Sequence, residues 1–159
     1  MSMKKLFYLL LVALPMLGFA SCSDDDDVPD VGLTTTIEGA TRVDNALYAV
    51  AGDTINIEAI NLVDHTKKGA TIGGAEYFWD NYRIGNVIAA PYGLDIDTEG
   101  VPAGRHVLQI KVGIFAVGYS PCVGYLVYPV YIVDSADDIP SSGDVETSPT
   151  VEFSVTHGD

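Results

Sequence analysis

The chain has 159 residues, with 22 acidic against 8 basic side chains, a formal charge of -14, and 48% hydrophobic residues. That length allows one domain with a short appendage. Acidity of this size excludes a nucleic-acid partner and docking of the folded surface on anionic lipid, since both draw on clustered Lys and Arg. Strong acidity and strong hydrophobicity do not sit together in an evenly mixed chain, so the two must be segregated.

In chain order, Lys4 and Lys5 precede a nearly uninterrupted apolar run of 15 residues, Leu6 to Ala20, which ends in the small residues Ala20 and Ser21 before Cys22. Basic residues, a short apolar stretch and small residues in that order form a secretory signal segment, whereas a membrane-crossing helix needs about 20 apolar residues. Residues 1–21 are read as that segment. Four adjacent aspartates, Asp24, Asp25, Asp26 and Asp27, follow Ser23 and repel one another, so residues 22–32 should form an extended, solvated tether. Ten residues of it could reach about 33 Å.

These residues also carry a resemblance. Gly18-Phe19-Ala20-Ser21-Cys22 resembles a bacterial lipobox, with Phe19 where leucine is usual, and Ser23 to Asp27 is similar to the acidic export signal of Bacteroidota-type surface lipoproteins. The resemblance implies that Cys22 becomes an acylated, palmitate-bearing N-terminus. It also implies a membrane partner through that lipid, and a domain facing outward from the bacterial outer membrane. At roughly 0.8 kcal/mol per buried methylene, several acyl chains anchor stably where one would be marginal.

Charge by segment confirms the segregation. Removal of Lys4 and Lys5 leaves a formal charge of -16. Residues 22–30 carry five acids and no base, residues 134–159 carry seven acids and no base, and residues 31–133 are left with ten acids and six bases. With Cys22 lipidated, Cys122 is alone; the competing reading pairs the two in a disulfide, as a secreted chain would allow.

From Leu33 to Val133 the pattern is period two, broken by turn signals, with no amphipathic helix. Leu33, Thr35 and Ile37 alternate; Leu47 to Val50 leads through Ala51-Gly52-Asp53 to Ile55, Ile57 and Ala59; Ala75, Tyr77 and Trp79 share one side; His106, Leu108, Ile110 and Val112 share another. The last strand runs from about Gly124 to Val133. The reading is an all-β domain at residues 33–133, an antiparallel sandwich of about seven strands.

Glu76-Tyr77-Phe78-Trp79-Asp80, Pro91-Tyr92-Gly93-Leu94, Asp97-Thr98 and Gly104-Arg105-His106-Val107-Leu108 together resemble bacterial immunoglobulin-like domains, with Asn81 where the turn glycine is usual. The resemblance implies an immunoglobulin-like antiparallel β-sandwich and a role in display, adhesion or spacing. Alternation places Trp79 inward with Tyr77. It makes His106 a packed histidine with both ring nitrogens hydrogen-bonded.

Candidate chemistry is sparse. Asp95, Asp97 and Glu99 before Gly100 superficially match a calcium loop, but its twelfth position is His106 where a glutamate is required. Cys122 and His65 are the one conceivable nucleophile and base, with no recognisable oxyanion hole. No metal or cofactor is expected, nor an enzyme.

The tyrosines are more informative. Tyr125, Val127, Pro129, Tyr131 and Val133 share one face of the last strand; Leu126, Tyr128, Val130 and Ile132 share the other. Pro129 lacks an amide hydrogen, which marks an edge strand. In a sandwich of this kind the loops holding His65 and Lys67 and holding Tyr119 lie at one end. Tyr119, Tyr125, Tyr131, His65 and Lys67 are therefore the candidate binding surface, for a protein or glycan partner.

Residues 134–159 read as an acidic linker and tail in which Val151 to Val155 adds a strand or a cover. Asp53-Thr54-Ile55 and Asp134-Ser135-Ala136 resemble a short O-glycosylation sequon of envelope proteins. The expected function is a surface-exposed, lipid-anchored, non-catalytic binding or adhesion module. The alternative is a structural accessory subunit of an outer-membrane assembly such as a nutrient-uptake complex.

Overall fold

The computed structural model of the chain describes residues 28–141 in full and the backbone of residues 150–155. The signal segment, Cys22 and the run from Ser23 to Asp27 lie outside the described residues.

The period-two segments become ten strands among the described residues: β1 (Val31–Glu38), β2 (Thr41–Val43), β3 (Ala46–Val50), β4 (Thr54–Asp64), β5 (Ala70–Trp79), β6 (Tyr82–Val87), β7 (Leu94–Asp97), β8 (Gly104–Ala116), β9 (Cys122–Val133) and β10 (Thr150–Val155). β1, β4 and β7 form a three-stranded sheet. β2, β3, β9, β8, β5 and β6 lie in that order in a seven-stranded sheet whose remaining strand, β10, pairs with β9. Neighbours are antiparallel except β3, which runs parallel to β9.

The inward residues of both sheets make one core. Leu33, Ile55, Ile57 and Ile96 come from the smaller sheet, and Leu47, Tyr77, Leu108, Ile110, Leu126 and Tyr128 from the larger. The fold is an immunoglobulin-like β-sandwich. It has more strands than the sequence pattern predicts because Asp44, at φ 55, folds Thr41–Val43 back on β3, and because the tail contributes β10.

One boundary moves. Val31 and Gly32, assigned to the tether from the acids before them, are the first residues of β1 and pair with Asp64 and Val63. Val31 is buried on the side that also buries Leu33, so burial of an apolar side chain extends the strand past the charge signal. The edge-strand expectation for β9 fails as well. β8 pairs along one side of it over its length, while on the other side β10 occupies Cys122–Val127 and β3 occupies Leu47 opposite Val130 onward. Pro129 falls in the gap between those two partners, where the ladder is already interrupted and a missing amide costs little.

The residues that carry the family resemblance are scaffold. Asp80 and Asn81, at φ 50 and 74, make the two-residue turn between β5 and β6, a pair of left-handed positions that these residue types tolerate. The Tyr77 hydroxyl donates to the Tyr92 carbonyl at 2.6 Å, and the Tyr92 hydroxyl to the Ile72 carbonyl at 2.9 Å. A side chain at Gly93 would start 2.2 Å from the Ile57 carbonyl oxygen, so only glycine lets the chain pass there. Trp79, half-buried, packs against the core on the Tyr77 side of β5, as alternation predicts, and stacks on His106 with ring centroids 5.3 Å apart.

Thr98 is fully buried. Its hydroxyl donates to the Asp53 carbonyl at 2.6 Å and accepts the Gly52 amide at 3.0 Å, tying the loop after β7 to the turn between β3 and β4. Thr98→Val keeps the shape but leaves both backbone groups without this partner. Chemical denaturation should show a loss of about 1–2 kcal/mol, whereas an unchanged midpoint would mean that the hydroxyl holds nothing.

Candidate functional site

The expected binding residues do not form one surface. His65 and Lys67 are exposed in the loop between β4 and β5, and Tyr119 sits half-buried in the turn between β8 and β9, its amide bonded to the Ala116 carbonyl. These two loops do meet at one end of the sandwich, through the Val117 amide and the Gly69 carbonyl at 3.0 Å. Tyr125 and Tyr131 lie on the outer face of the larger sheet, six residues apart on β9, which is about 20 Å along a strand. Tyr131 is taken up by Tyr48, its register partner on β3, in a stack with centroids 4.9 Å apart. Tyr125 lines a concavity.

That concavity is an open trough of about 550 Å³ on the face turned away from the smaller sheet. Gly74 and Gly113 form its floor, the Phe115 ring lies over Gly73, Tyr125 stands at one side, and Glu76, Asn86 and Lys111 supply its polar groups. The Lys111 ammonium lies 4.8 Å from the Phe78 ring centroid and 5.9 Å from that of Tyr125, attracted by the ring faces. Arg83 pairs with Glu76 at 3.5 Å. β10 lies beside β9, edge to edge, and so lengthens this sheet; it is the added strand of the two roles open to it.

Sequence reasoning missed Gly113, Phe115, Glu76, Asn86 and Lys111. A signal for them exists in the glycines that interrupt otherwise side-chain-bearing strands, at Gly73-Gly74 and at Gly113.

Of the two candidate catalytic groups, one is buried and the other exposed. Cys122 is buried, and burial pushes its thiol further up, away from the thiolate a nucleophile needs. His65 is exposed. Asp97 accepts the Glu99 amide at 2.9 Å, so the acids read as a calcium loop form a strand end and its turn.

Asp80 and His106 look like an acid-base pair but are built differently. Nδ1 of His106 is 2.6 Å from the Asp80 carboxylate, and Nε2 is 2.7 Å from the Pro102 carbonyl. Both partners only accept, so both ring nitrogens are best satisfied as donors, which is the imidazolium. Burial lowers the pKa of His106, but the Asp80 hydrogen bond, the Pro102 carbonyl and the Asp80 charge outweigh it and leave it raised. Burial raises that of Asp80, and the bonds from His106 and the Val107 amide outweigh it in turn and leave it lowered.

No family model and no curated protein matches this chain. Among solved structures, the fibronectin(III)-like modules of Clostridium thermocellum CbhA are similar, with a TM-score of 0.39, 15% identity, and coverage of 62% of this chain and 97% of that one. A likeness of this size says nothing about ligand or partner.

Proposed function

We propose that the chain is a non-catalytic binding module, held at the bacterial outer membrane by lipid on Cys22 and facing outward. The observation that carries the binding role is the trough beside Tyr125, a concavity with aromatic sides and a few polar groups on a sheet face that the core does not use. The lipobox-like residues and the run from Ser23 to Asp27 support the anchor and its outward orientation. A second reading, an accessory subunit packed on a larger partner, draws on Ile88, Phe115 and Val117, apolar side chains 75%, 51% and 61% exposed.

Labelled palmitate should mark the wild-type chain and leave Cys22→Ser blank, and protease added to intact cells should digest the wild type. Label on the serine variant sinks the anchor. In affinity capture from intact cells, Tyr125→Ala should recover at least fivefold less of its specific partners. Equal recovery rejects this face as the binding surface.

A further inference from the structure

Gly113 sits in the middle of β8, with its outward side at the floor of the trough and Val112 and Ile114 buried on either side. A glycine inside a strand costs about 0.5–1 kcal/mol relative to alanine and leaves the sheet surface without a side chain. Most glycines of this kind are excused by backbone conformation or by crowding. Gly113 is excused by neither: its φ is not in the left-handed region, and a Cβ there would meet only the Gly74 carbonyl oxygen, at an ordinary 4.0 Å. The fold has room for a side chain at this position. The register partner of Gly113 on β5 is Gly74, so two adjacent central strands are bare at the same place.

The walls around that bare place are chemically unlike. On one side, Asn86, Glu76, Lys111 and Tyr125 lie opposite one another across β6, β5, β8 and β9. They form a row of amide, carboxylate, ammonium and phenol. On the other side Phe115, half-exposed, lies with its ring over Gly73, with Val123 and Ile88 closing the ends. Lys111 and Phe115 are each two residues from Gly113, so the walls are about 13 Å apart between backbones. Glu76 and Lys111 are already oriented by Arg83 and by the Phe78 ring.

We infer that this trough binds a neutral glycan chain, with a pyranose seated over Gly113, its C–H face against Phe115 and its hydroxyls toward Glu76, Asn86, Lys111 and the Tyr125 phenol. A sugar ring has apolar faces and a polar rim, which matches the two kinds of wall. An acyl chain would desolvate Glu76 and Lys111 without replacing their hydrogen bonds, and an extended peptide seeks the edge of a sheet, whereas this is a face. Polyanions are disfavoured by a domain with ten acids and six bases between residues 31 and 133. This inference rests on the proposed binding role of the same face.

The test uses the full-length chain, purified in detergent, in gels cast with soluble pullulan, galactomannan, arabinoxylan or mixed-linkage β-glucan, with alginate and heparin as polyanions. At least one neutral polysaccharide should retard the wild type. Gly113→Val, which fills the floor with a good strand former, should weaken that retardation at least tenfold while its melting temperature stays equal or rises. Asn86→Ala, at an exposed rim position, should weaken it at least threefold and keeps the test open if the valine variant folds poorly. Tyr131→Ala, outside the trough, should bind as the wild type does.

The inference is overturned if no neutral polysaccharide retards the wild type, if only alginate or heparin does, or if folded Gly113→Val binds normally. A partner captured from cells through Tyr125, with no neutral polysaccharide bound, would reject the glycan and leave the binding-module reading standing. Failure of both experiments would reject both.

Discussion

Tyr77→Ala should lower the stability of the domain by about 3–5 kcal/mol, as removal of a large buried aromatic does. Tyr77 is fully buried in the second half of β5. It packs in the core shared by both sheets, and burial pushes its hydroxyl pKa well up. In a domain of roughly 100 residues that loss corresponds to a melting temperature lower by about 15–30 °C. Tyr77→Phe separates the two contributions. It keeps the ring and removes only the bond to the Tyr92 carbonyl, so it should cost about 1 kcal/mol. A drop of less than about 5 °C for the alanine variant in a thermal melt, too small for a filled core position, would place Tyr77 outside the core.

The second large effect is expected at Asp80. Its carboxylate accepts the Val107 amide at 2.8 Å and faces His106 Nδ1, while its backbone holds a left-handed turn position that alanine tolerates poorly. Asp80→Ala should therefore cost about 2–3 kcal/mol, and Asp80→Asn less, because it keeps the turn and the amide acceptor.

The pair also gives stability a pH dependence. His106 has a raised pKa in the folded chain, so its contribution is complete below the unfolded value of about 6.5 and fades as pH rises through the folded value. Asp80 has a lowered one, so its contribution is present above about 3.8 and is lost as pH falls through its folded value. The stabilising window lies between the two, and the wild type should melt at higher temperature at pH 6 than at pH 9. Trp79 reports the same titration. It is the one tryptophan of the chain and stacks on His106, whose imidazolium quenches indole emission. Emission should rise with a midpoint above 6.5, and that midpoint should fall in Asp80→Asn. An identical midpoint in the two proteins would uncouple the residues.

Much of the sandwich is legible in the residues one by one. Alternation marks β8 and β9, turn residues mark their ends, and Asp80-Asn81 announces a hairpin, because each of these signals depends on neighbours within a few positions. The candidate site is less legible for a reason that Tyr125 and Tyr131 show together. Both are outward residues of the same strand, and period two treats them alike. What separates them is the strand on either side: β3 brings Tyr48 against Tyr131, whereas β8 and β5 bring Gly113 and Gly74 into the space near Tyr125. Pro129 misleads in the same way, since whether a missing amide marks an edge depends on which partners lie beside it.

By itself, then, the sequence determined the segregation of charge, the period-two pattern of the domain, and a histidine whose place on a strand demanded partners. These are local properties, carried by composition and by spacing of a few residues. The tertiary structure alone decided that His106 closes its bonds on Asp80 and Pro102, that β10 lies beside the tyrosine face, and that two glycines 39 positions apart in the chain, Gly74 and Gly113, floor one trough. Those outcomes depend on strand order and register, which are settled by packing one sheet against the other, and no short window of sequence contains that information.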